Sequence, residues 1–457
     1  MMMNAQEVAG AAAKKYDVTP IKVGLLGIGT VGGGTYNVLK RNQEEIRRRA
    51  GRGIEISLVG ARNHERALAA TSGGCALTTD LFAVVNDPDI DIVVECIGGC
   101  DIARELVMLA IANGKHVVTA NKALVARHGN EIFAAAQAAG VTIAFEAAVA
   151  GGIPIIKALR EGLTANRVES IAGIINGTTN FILSEMRDKG LDFATALAQA
   201  QALGYAELDP TFDIEGVDAA HKVTIMSAIA FGIPVQFDKA HVEGISSLQA
   251  IDIRYAEALG YRIKLLGITK RAIVDGVEGI ELRVHPTLIP SKRLIANVEG
   301  AMNAVLVQAD AVGTSLFYGR GAGAEPTASA VIADLVDITR LATADPEHRV
   351  PFLAFQPNQM TDILILPMSE ITTSYYLRVT VEDKLGVMAD LTRILADARI
   401  SIDAMMQKEP AAGSAKTDII ILTHETKEKH ANAAIIKMEL LGAVVGKVTM
   451  IRMENLS

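Results

Sequence analysis

Two lysines stand where acid–base chemistry could use them. Lys222 closes the run GYAELDPTFDIEGVDAAHK (204–222). On a helix expected over 216–231, Asp218 and Lys222 are four residues apart and share a face. Glu207, Asp209 and Asp213 cluster just upstream. Lys122 sits in TANKAL (119–124), directly after a short apolar run read as a strand. In open α/β sheets the carboxyl ends of the strands form the ligand crevice. Such a set suits a small amino acid. Carboxylates would hold an ammonium, one lysine a carboxylate, and the other would give a proton to an oxygen gaining charge. On an anonymous helix the same Asp–Lys pair is more often an exposed salt bridge. His221 points about 100° away from Lys222 and reads as a packing or surface histidine.

A nucleotide signal lies earlier. Gly27-Ile28-Gly29-Thr30-Val31-Gly32 fits G-x-G-x-x-G between a strand and a helix. Gly27 would make the turn, Gly29 would let backbone approach a pyrophosphate, and Gly32 would pack helix on sheet. The free amides of the helix would face the phosphates. A glycine-rich turn made for packing alone would look similar. After the second strand stands Arg62 rather than an acidic residue, which favours a 2′-phosphate and hence NADP, with NAD the other reading. It is equally read as one more surface arginine. A further run, Tyr318-Gly319-Arg320-Gly321-Ala322-Gly323, allows close approach to a ligand or a tight turn.

Other chemistries find little support. The three cysteines, Cys75, Cys96 and Cys100, form no C-x-x-C pair, and there is no H-x₃-H pair for zinc. Neither G-x-S-x-G nor a P-loop occurs. Sparse, odd cysteines suit a reducing, cytoplasmic setting. A net charge of −8 with no basic block and no Trp argues against nucleic acid. No apolar run reaches a membrane span, and the first residues lack a signal-peptide core.

With 457 residues the chain needs two or three domains. Residues 1–19 read as a disordered lead-in. Residues 20–150 alternate strand and helix, with strands at 21–26, 54–60, 90–96, 116–119 and 141–145, which implies a parallel sheet of Rossmann type. A helix at 325–342 would complete it. Residues 151–324 read as α+β, with helices near 154–161, 179–187, 192–203, 216–231 and 250–259, a strand at 171–174, and paired strands at 263–270 and 281–286. Residues 343–373, with Pro346, Pro351, Pro357 and Pro367, read as a linker. Residues 374–457 follow the order β-α-β-β-α-β of a ferredoxin-like unit.

Taken together, these stretches resemble homoserine dehydrogenase. The residues that carry the likeness are GIGTVG (27–32), TANKAL (119–124), EAAVAGGIPII (146–156), NGTTNFIL (176–183), the central run 204–222, and GRGAGAEPTASAVIADL (319–335). The tail resembles an ACT domain, with EDKLGVM (382–388) at the turn where such modules often hold amino acids. The fold class is thus α/β and α+β, multidomain: a Rossmann-type domain, a central catalytic and dimerisation domain, and an ACT regulatory domain.

The resemblance implies NAD(P)H-dependent reduction of L-aspartate 4-semialdehyde to L-homoserine, on the way to threonine, methionine and isoleucine. It implies Lys222 as proton donor and Lys122 at substrate and nicotinamide. Glu207 would bind the substrate's amino end, with Asp213 and Asp218 in support. Gly27, Gly29, Thr30, Val31, Gly32, Arg62, Thr119, Lys122, Gly321 and Gly323 would surround the cofactor. Glu146, Val149, Gly151 and Ile153 would hold a sodium ion, largely through backbone oxygens. Asp383, Gly386 and Val387 would bind an effector, with L-threonine the natural candidate because it lies downstream. Relatives of this kind form homodimers or homotetramers. One departure is Arg320, where the family usually carries proline; it bears on cofactor affinity and not on the reaction. A pure nucleotide sensor would leave both lysines without a task, and an aspartate-semialdehyde dehydrogenase needs a thioester-forming cysteine that no motif here supplies. A tail that only dimerises is the other reading of residues 374–457.

Overall fold

The computed structural model describes residues 19–341, 349–408 and 415–456. The expected lead-in thus lies almost wholly outside the described residues.

The first sheet has six parallel strands: β1 (Ile21–Leu26), β2 (Ile54–Gly60), β3 (Ala76–Thr78), β4 (Ile92–Glu95), β5 (His116–Thr119) and β6 (Ile143–Ala144), in the order β3-β2-β1-β4-β5-β6. Its central strands are covered on both faces, which is why they read as continuous apolar runs; Val23, Leu25, Ile92, Val93 and Val94 are fully buried. The strand order reverses between β1 and β4, so a crevice opens at their carboxyl ends. Helix α1 (Thr30–Arg41) leaves β1 through the glycine-rich turn. The long helix Ala324–Leu341 packs on it, so close that a Cβ on Gly34 would lie 2.4 Å from the Ala324 carbonyl oxygen.

β3 went unseen in the sequence because three residues carry no period. The stretch after the glycine run reads in the sequence as one long polar helix ending near Arg47–Arg49; the structure has two, Thr30–Arg41 and Gln43–Ala50, broken at Asn42.

A second sheet starts in the central region and runs into the tail. Its members include β7 (Val168–Ile174), β8 (His241–Val242), β9 (Tyr261–Val274), β10 (Val277–Pro290), β11 (Met302–Ala309) and β12 (Gly313–Arg320). The tail adds β13 (Leu364–Ile365), β14 (Thr372–Glu382), β15 (Ile402–Gln407), β16 (Lys416–Thr423), β17 (Thr426–Lys427) and β18 (Thr449–Met453). The main path is β12-β11-β7-β9-β10-β18-β14-β16-β15. β9 and β10 form a hairpin longer than expected. It closes through Asp275-Gly276, whose φ values of 51° and 82° are the left-handed pair that a two-residue turn needs. The sequence reading missed β11 and β12, and it placed Tyr318–Arg320 in a loop where the structure has the end of β12. The helix expected at 154–161 is one α turn, Ile155–Lys157, followed by a wider turn over Ala158–Gly162.

The tail has the expected ferredoxin-like strand order, with helices Val387–Asp397 and Glu428–Glu439 over one face. Its last strand, which the apolar run from Val444 to Ile451 suggests would span those residues, is instead Thr449–Met453. The other face is not open. Tyr376, Ile420, Leu422 and Ile451 join one core with Tyr255 and Ala256 of the central helix Ala250–Ala258. β18 pairs in parallel with β10 through Thr287–Arg452 and Leu288–Met453. The segment read as a linker is packed too. Phe352 stacks on Phe133 at 5.6 Å, the Thr361 amide donates to the Gly232 carbonyl at 2.8 Å, and β13 pairs with β10.

Candidate functional site

At the end of β1, Gly27 takes φ +93° and a Cβ there would lie 2.8 Å from the Cys96 carbonyl oxygen, so no other residue makes this turn without displacing the β4 loop. A Cβ on Gly32 would lie 2.0 Å from the Gly27 carbonyl oxygen, which fixes how closely α1 meets the turn. A Cβ on Gly29, by contrast, would meet nothing within 4 Å. Gly29 caps α1 without a side-chain bond, and no acidic residue stands in the helix's first turn. Thr30 and Val31 thus open a helix whose amides face free space, a ready anion site. Arg62 lies exposed just beyond β2, with no ion-pair partner among the described residues. Thr119 differs from the expectation of an available contact. Its hydroxyl donates to the Glu95 carboxylate at 2.6 Å and accepts from the Asn121 amide at 3.0 Å.

The charged cluster forms where three segments converge. Asn121 caps helix Lys122–Ala139 by accepting from the Leu124 amide, and this sets Lys122 as the first residue of the helix. Asn176, ahead of helix Gly177–Lys189, accepts from the Thr179 amide. Gly216, in the left-handed region, starts helix Val217–Phe231, which carries Asp218 and Lys222. Lys222 Nζ donates to Asp218 Oδ2 and to the Ile175 carbonyl, each at 2.7 Å. Lys122 Nζ lies 2.8 Å from Asp218 Oδ1. Asn176 Nδ2 bridges Asp213 at 2.7 Å and Asp218 at 2.9 Å. The surface-bridge reading falls here, because the side chains of Lys222 and Asp218 are only 11% and 3% exposed.

The electrostatics follow from burial. Burial lowers the Lys222 pKa from its ordinary value and Lys122 adds to this, while Asp218 opposes. Burial also disfavours charge on Lys122, but Asp218, Asp213 and Glu207 outweigh it and raise its pKa. Burial alone would raise Asp218; its two lysines hold it well below the carboxylate range. Burial and Asp218 raise Asp213. An ammonium has three donors. Two of those on Lys222 are taken by Asp218 and Ile175, and the third remains for a ligand oxygen. Glu207 stands exposed at the rim.

His221 is 1% exposed, and neither ring nitrogen has a hydrogen-bond partner. It lies between Phe212, at 5.4 Å, and Phe237, at 4.3 Å. Burial, with Arg127 nearby, lowers its pKa to about 4, so it packs as a neutral ring. Sequence reasoning missed Asn176, the Ile175 carbonyl and Phe212, over whose ring Lys122 Nζ sits at 5.5 Å. An Asn directly before a Gly-Thr-Thr helix start was the available signal for Asn176.

Residues 146–153 form a buried turn, with Ala150 and Gly151 at φ +55° and +50°. A Cβ on Gly151 would lie 2.4 Å from the Gly321 carbonyl oxygen, which brings the last glycine run against this turn. The Glu146 carboxylate accepts from the Ile156 and Lys157 amides at 2.9 and 2.8 Å. Burial and Asp334 push its pKa up to about 7. Among the described residues, no donor reaches the Val149 or Gly151 carbonyls. Nor does any group of three His, Cys, Asp or Glu there suit a metal ion. Gly323 precedes Pro326 at φ +123°, and Arg320 is exposed at the end of β12. In the tail, Gly386 at φ +91° caps helix Val387–Asp397, with Asp383 exposed and Val387 buried.

Comparison with known proteins fits this geometry. Family models match residues 154–336 (homoserine dehydrogenase), 27–146 (homoserine dehydrogenase, NAD binding domain) and 375–437 (ACT domain). The homoserine dehydrogenase of Pseudomonas aeruginosa is 59% identical over 96% of this chain and 100% of its own length. That of Neisseria gonorrhoeae is 59% identical over 96% of this chain and 99% of its own. The crystal structure of a homoserine dehydrogenase from Thiobacillus denitrificans superposes with a TM-score of 0.91 at 68% identity, covering 96% of this chain and 99% of that one. A hyperthermophilic archaeal homoserine dehydrogenase in complex with NADPH gives a TM-score of 0.59 at 25% identity, over 72% of this chain and 99% of that one. The lysines gathered on a buried aspartate, the nucleotide turn and the ferredoxin-like tail thus sit in a chain that belongs to the homoserine dehydrogenases, oxidoreductases acting on a CH–OH group, with a C-terminal ACT domain.

Proposed function

We propose that the chain reduces L-aspartate 4-semialdehyde to L-homoserine with NADPH, within threonine, methionine and isoleucine biosynthesis in the cytoplasm. The observation that carries this reading is the unused third donor of Lys222. When bound, the reduced nicotinamide supplies a hydride to the carbonyl carbon. Lys222 gives its free proton to the carbonyl oxygen as that oxygen gains charge, and the product is an alcohol. Its depressed pKa makes it a stronger acid than an ordinary lysine. Asp218 keeps both lysines oriented. Glu207 and Asp213 supply negative charge for the substrate ammonium, and Lys122 supplies positive charge for its carboxylate. The test follows reduced-nicotinamide absorbance with L-aspartate 4-semialdehyde. Stoichiometric loss of NADPH and appearance of homoserine is expected; a chain that oxidises no cofactor with this substrate overturns the reading.

Cofactor choice rests on Arg62. Charge-assisted hydrogen bonds to a 2′-phosphate contribute about 1.5–3 kcal/mol. Arg62→Ala is expected to weaken NADPH roughly ten- to a hundredfold and NADH far less. Equal losses for the two cofactors, or a wild type that prefers NADH, count against it. The free carbonyls of Val149 and Gly151, together with the Glu146 and Ile153 carbonyls, which each already accept one backbone amide, suit a hard monovalent cation such as sodium. It would brace the turn against Gly321 and neutralise charge near Glu146.

The tail is proposed to bind an amino-acid effector, L-threonine above others, at Asp383, Gly386 and Val387, where free helix amides could receive its carboxylate. Homodimers or homotetramers built through the central domain complete the reading. A regulatory coupling of about 1–3 kcal/mol would change activity some 5–150-fold. Titration of threonine against the full chain should show inhibition of that order, and Asp383→Ala should blunt it. Unchanged activity, with no heat of binding to the full chain, would leave the tail a structural element.

A further inference from the structure

Glu95, the last residue of β4, is fully buried and pairs with no lysine or arginine among the described residues. A buried carboxylate without a counter-charge is costly unless donors surround it. Here they do. Oε1 accepts from the amides of Ile97 and Gly98 at 2.9 and 3.2 Å, and Oε2 accepts from the Thr119 hydroxyl at 2.6 Å. The same hydroxyl receives the Asn121 amide at 3.0 Å. Asn121 Nδ2 then returns to the Gly99 carbonyl at 2.6 Å, while its oxygen caps the helix that begins at Lys122. The belt encloses a loop of unusual shape. Gly98 and Gly99 have φ of 72° and 73°, and a Cβ on either would meet nothing within 4 Å. The loop therefore fronts open space at the carboxyl ends of the strands. It also abuts the nucleotide turn, since a Cβ on Gly27 would lie 3.0 Å from Ile97 Cγ2.

We infer that Glu95 is a positioning residue for the reaction: through Thr119 and Asn121 it holds the Gly98–Gly99 wall of the cofactor crevice in fixed relation to Lys122. This deepens the proposed function and rests on it for the identity of the cofactor. Burial raises the Glu95 pKa, and the Thr119 hydroxyl and the Ile97 and Gly98 amides, each donating to the carboxylate, oppose that rise. In Glu95→Gln the side-chain nitrogen that faces Thr119 can no longer accept from its hydroxyl. That removes the geometry while keeping the volume. Thr119→Val likewise keeps shape and deletes both hydrogen bonds.

The test measures NADPH binding by the cofactor's own fluorescence, beside kcat, KM and thermal midpoint, on full-length variants. Glu95→Gln and Thr119→Val should each weaken NADPH roughly tenfold or more and lower kcat. Thr119→Ser, which keeps the hydroxyl, should restore most of that loss. Should the buried variants fold poorly, Asn121→Ser still decides, because serine keeps the helix cap but cannot reach Gly99. It should weaken NADPH several-fold at an unchanged midpoint. NADPH affinity within twofold of wild type in Asn121→Ser and in a folded Thr119→Val overturns the inference, as does failure of Thr119→Ser to rescue. A wild type that binds NADPH but ignores the semialdehyde would sink the proposed function and leave this binding test intact.

Discussion

Lys222→Ala should lower turnover by about 10²–10⁴-fold, the usual cost of losing a general acid, while NADPH binds nearly as before. Lys222 donates to the Ile175 carbonyl and to Asp218, neither of which belongs to the nucleotide turn at 27–32. Removing it leaves Asp218 bonded to Lys122 and Asn176, so the carboxylate is not stranded. Lys122 is the poorer acid of the two, since Asp218, Asp213 and Glu207 raise its pKa while burial lowers that of Lys222. The same contrast gives a pH signature. Reduction needs Lys222 protonated, so turnover should fall as pH rises through a pKa below that of an ordinary lysine, and Lys222→Ala should lack this limb. Stopped-flow hydride transfer separates chemistry from product release. A variant within a few-fold of wild type in single-turnover rate would remove Lys222 from the mechanism.

The parts of this site that sequence disclosed are those governed by local geometry. Gly27, Gly29 and Gly32 were legible because a tight turn, an open approach and a close helix contact each demand glycine. Asp218 and Lys222 were legible as helix neighbours four residues apart. Their burial was not, because it depends on Asn176 and Lys122 arriving from other segments. Glu95 was invisible for a similar reason: its partner Thr119 reaches it only once β4 and β5 pair. The roles given to Glu207 and Asp383 rest on the family resemblance, because a carboxylate's spacing in the chain does not say what it holds. The covered face of the tail did leave a trace. Tyr375-Tyr376-Leu377 and Ile419-Ile420-Ile421 are apolar at successive positions, and so on both faces of the strand. A half-exposed sheet alternates, so these runs already implied a second buried face.

That second face makes the tail part of the central fold, and Arg452 is where the dependence concentrates. It is 2% exposed on β18, where it pairs with Thr287 in the contact with β10. Its guanidinium donates to both oxygens of Glu243 at 2.8 and 2.9 Å, and to Glu428 at 2.9 Å. Glu428 is itself buried and receives the Tyr375 hydroxyl at 2.8 Å. Arg452→Met keeps apolar volume but leaves Glu428 with that hydroxyl alone. Stranding one partner of a buried pair costs about 3–5 kcal/mol, two to nearly four powers of ten in an equilibrium constant. Glu243 is half-exposed and regains water, so the loss should arise mainly at Glu428. The double change Arg452→Met with Glu428→Leu should therefore recover much of the stability, because no charge is then left buried. Denaturant midpoints of the three proteins test this. An unchanged midpoint in Arg452→Met, or a double variant no better than the single, would mean the pair does not hold the tail. For the same reason, deleting residues 374–457 should yield aggregating protein: it bares the apolar side of helix Ala250–Ala258 and an unpaired stretch of β10. Threonine regulation is then to be read in the intact chain, where the face that an effector must influence is still covered.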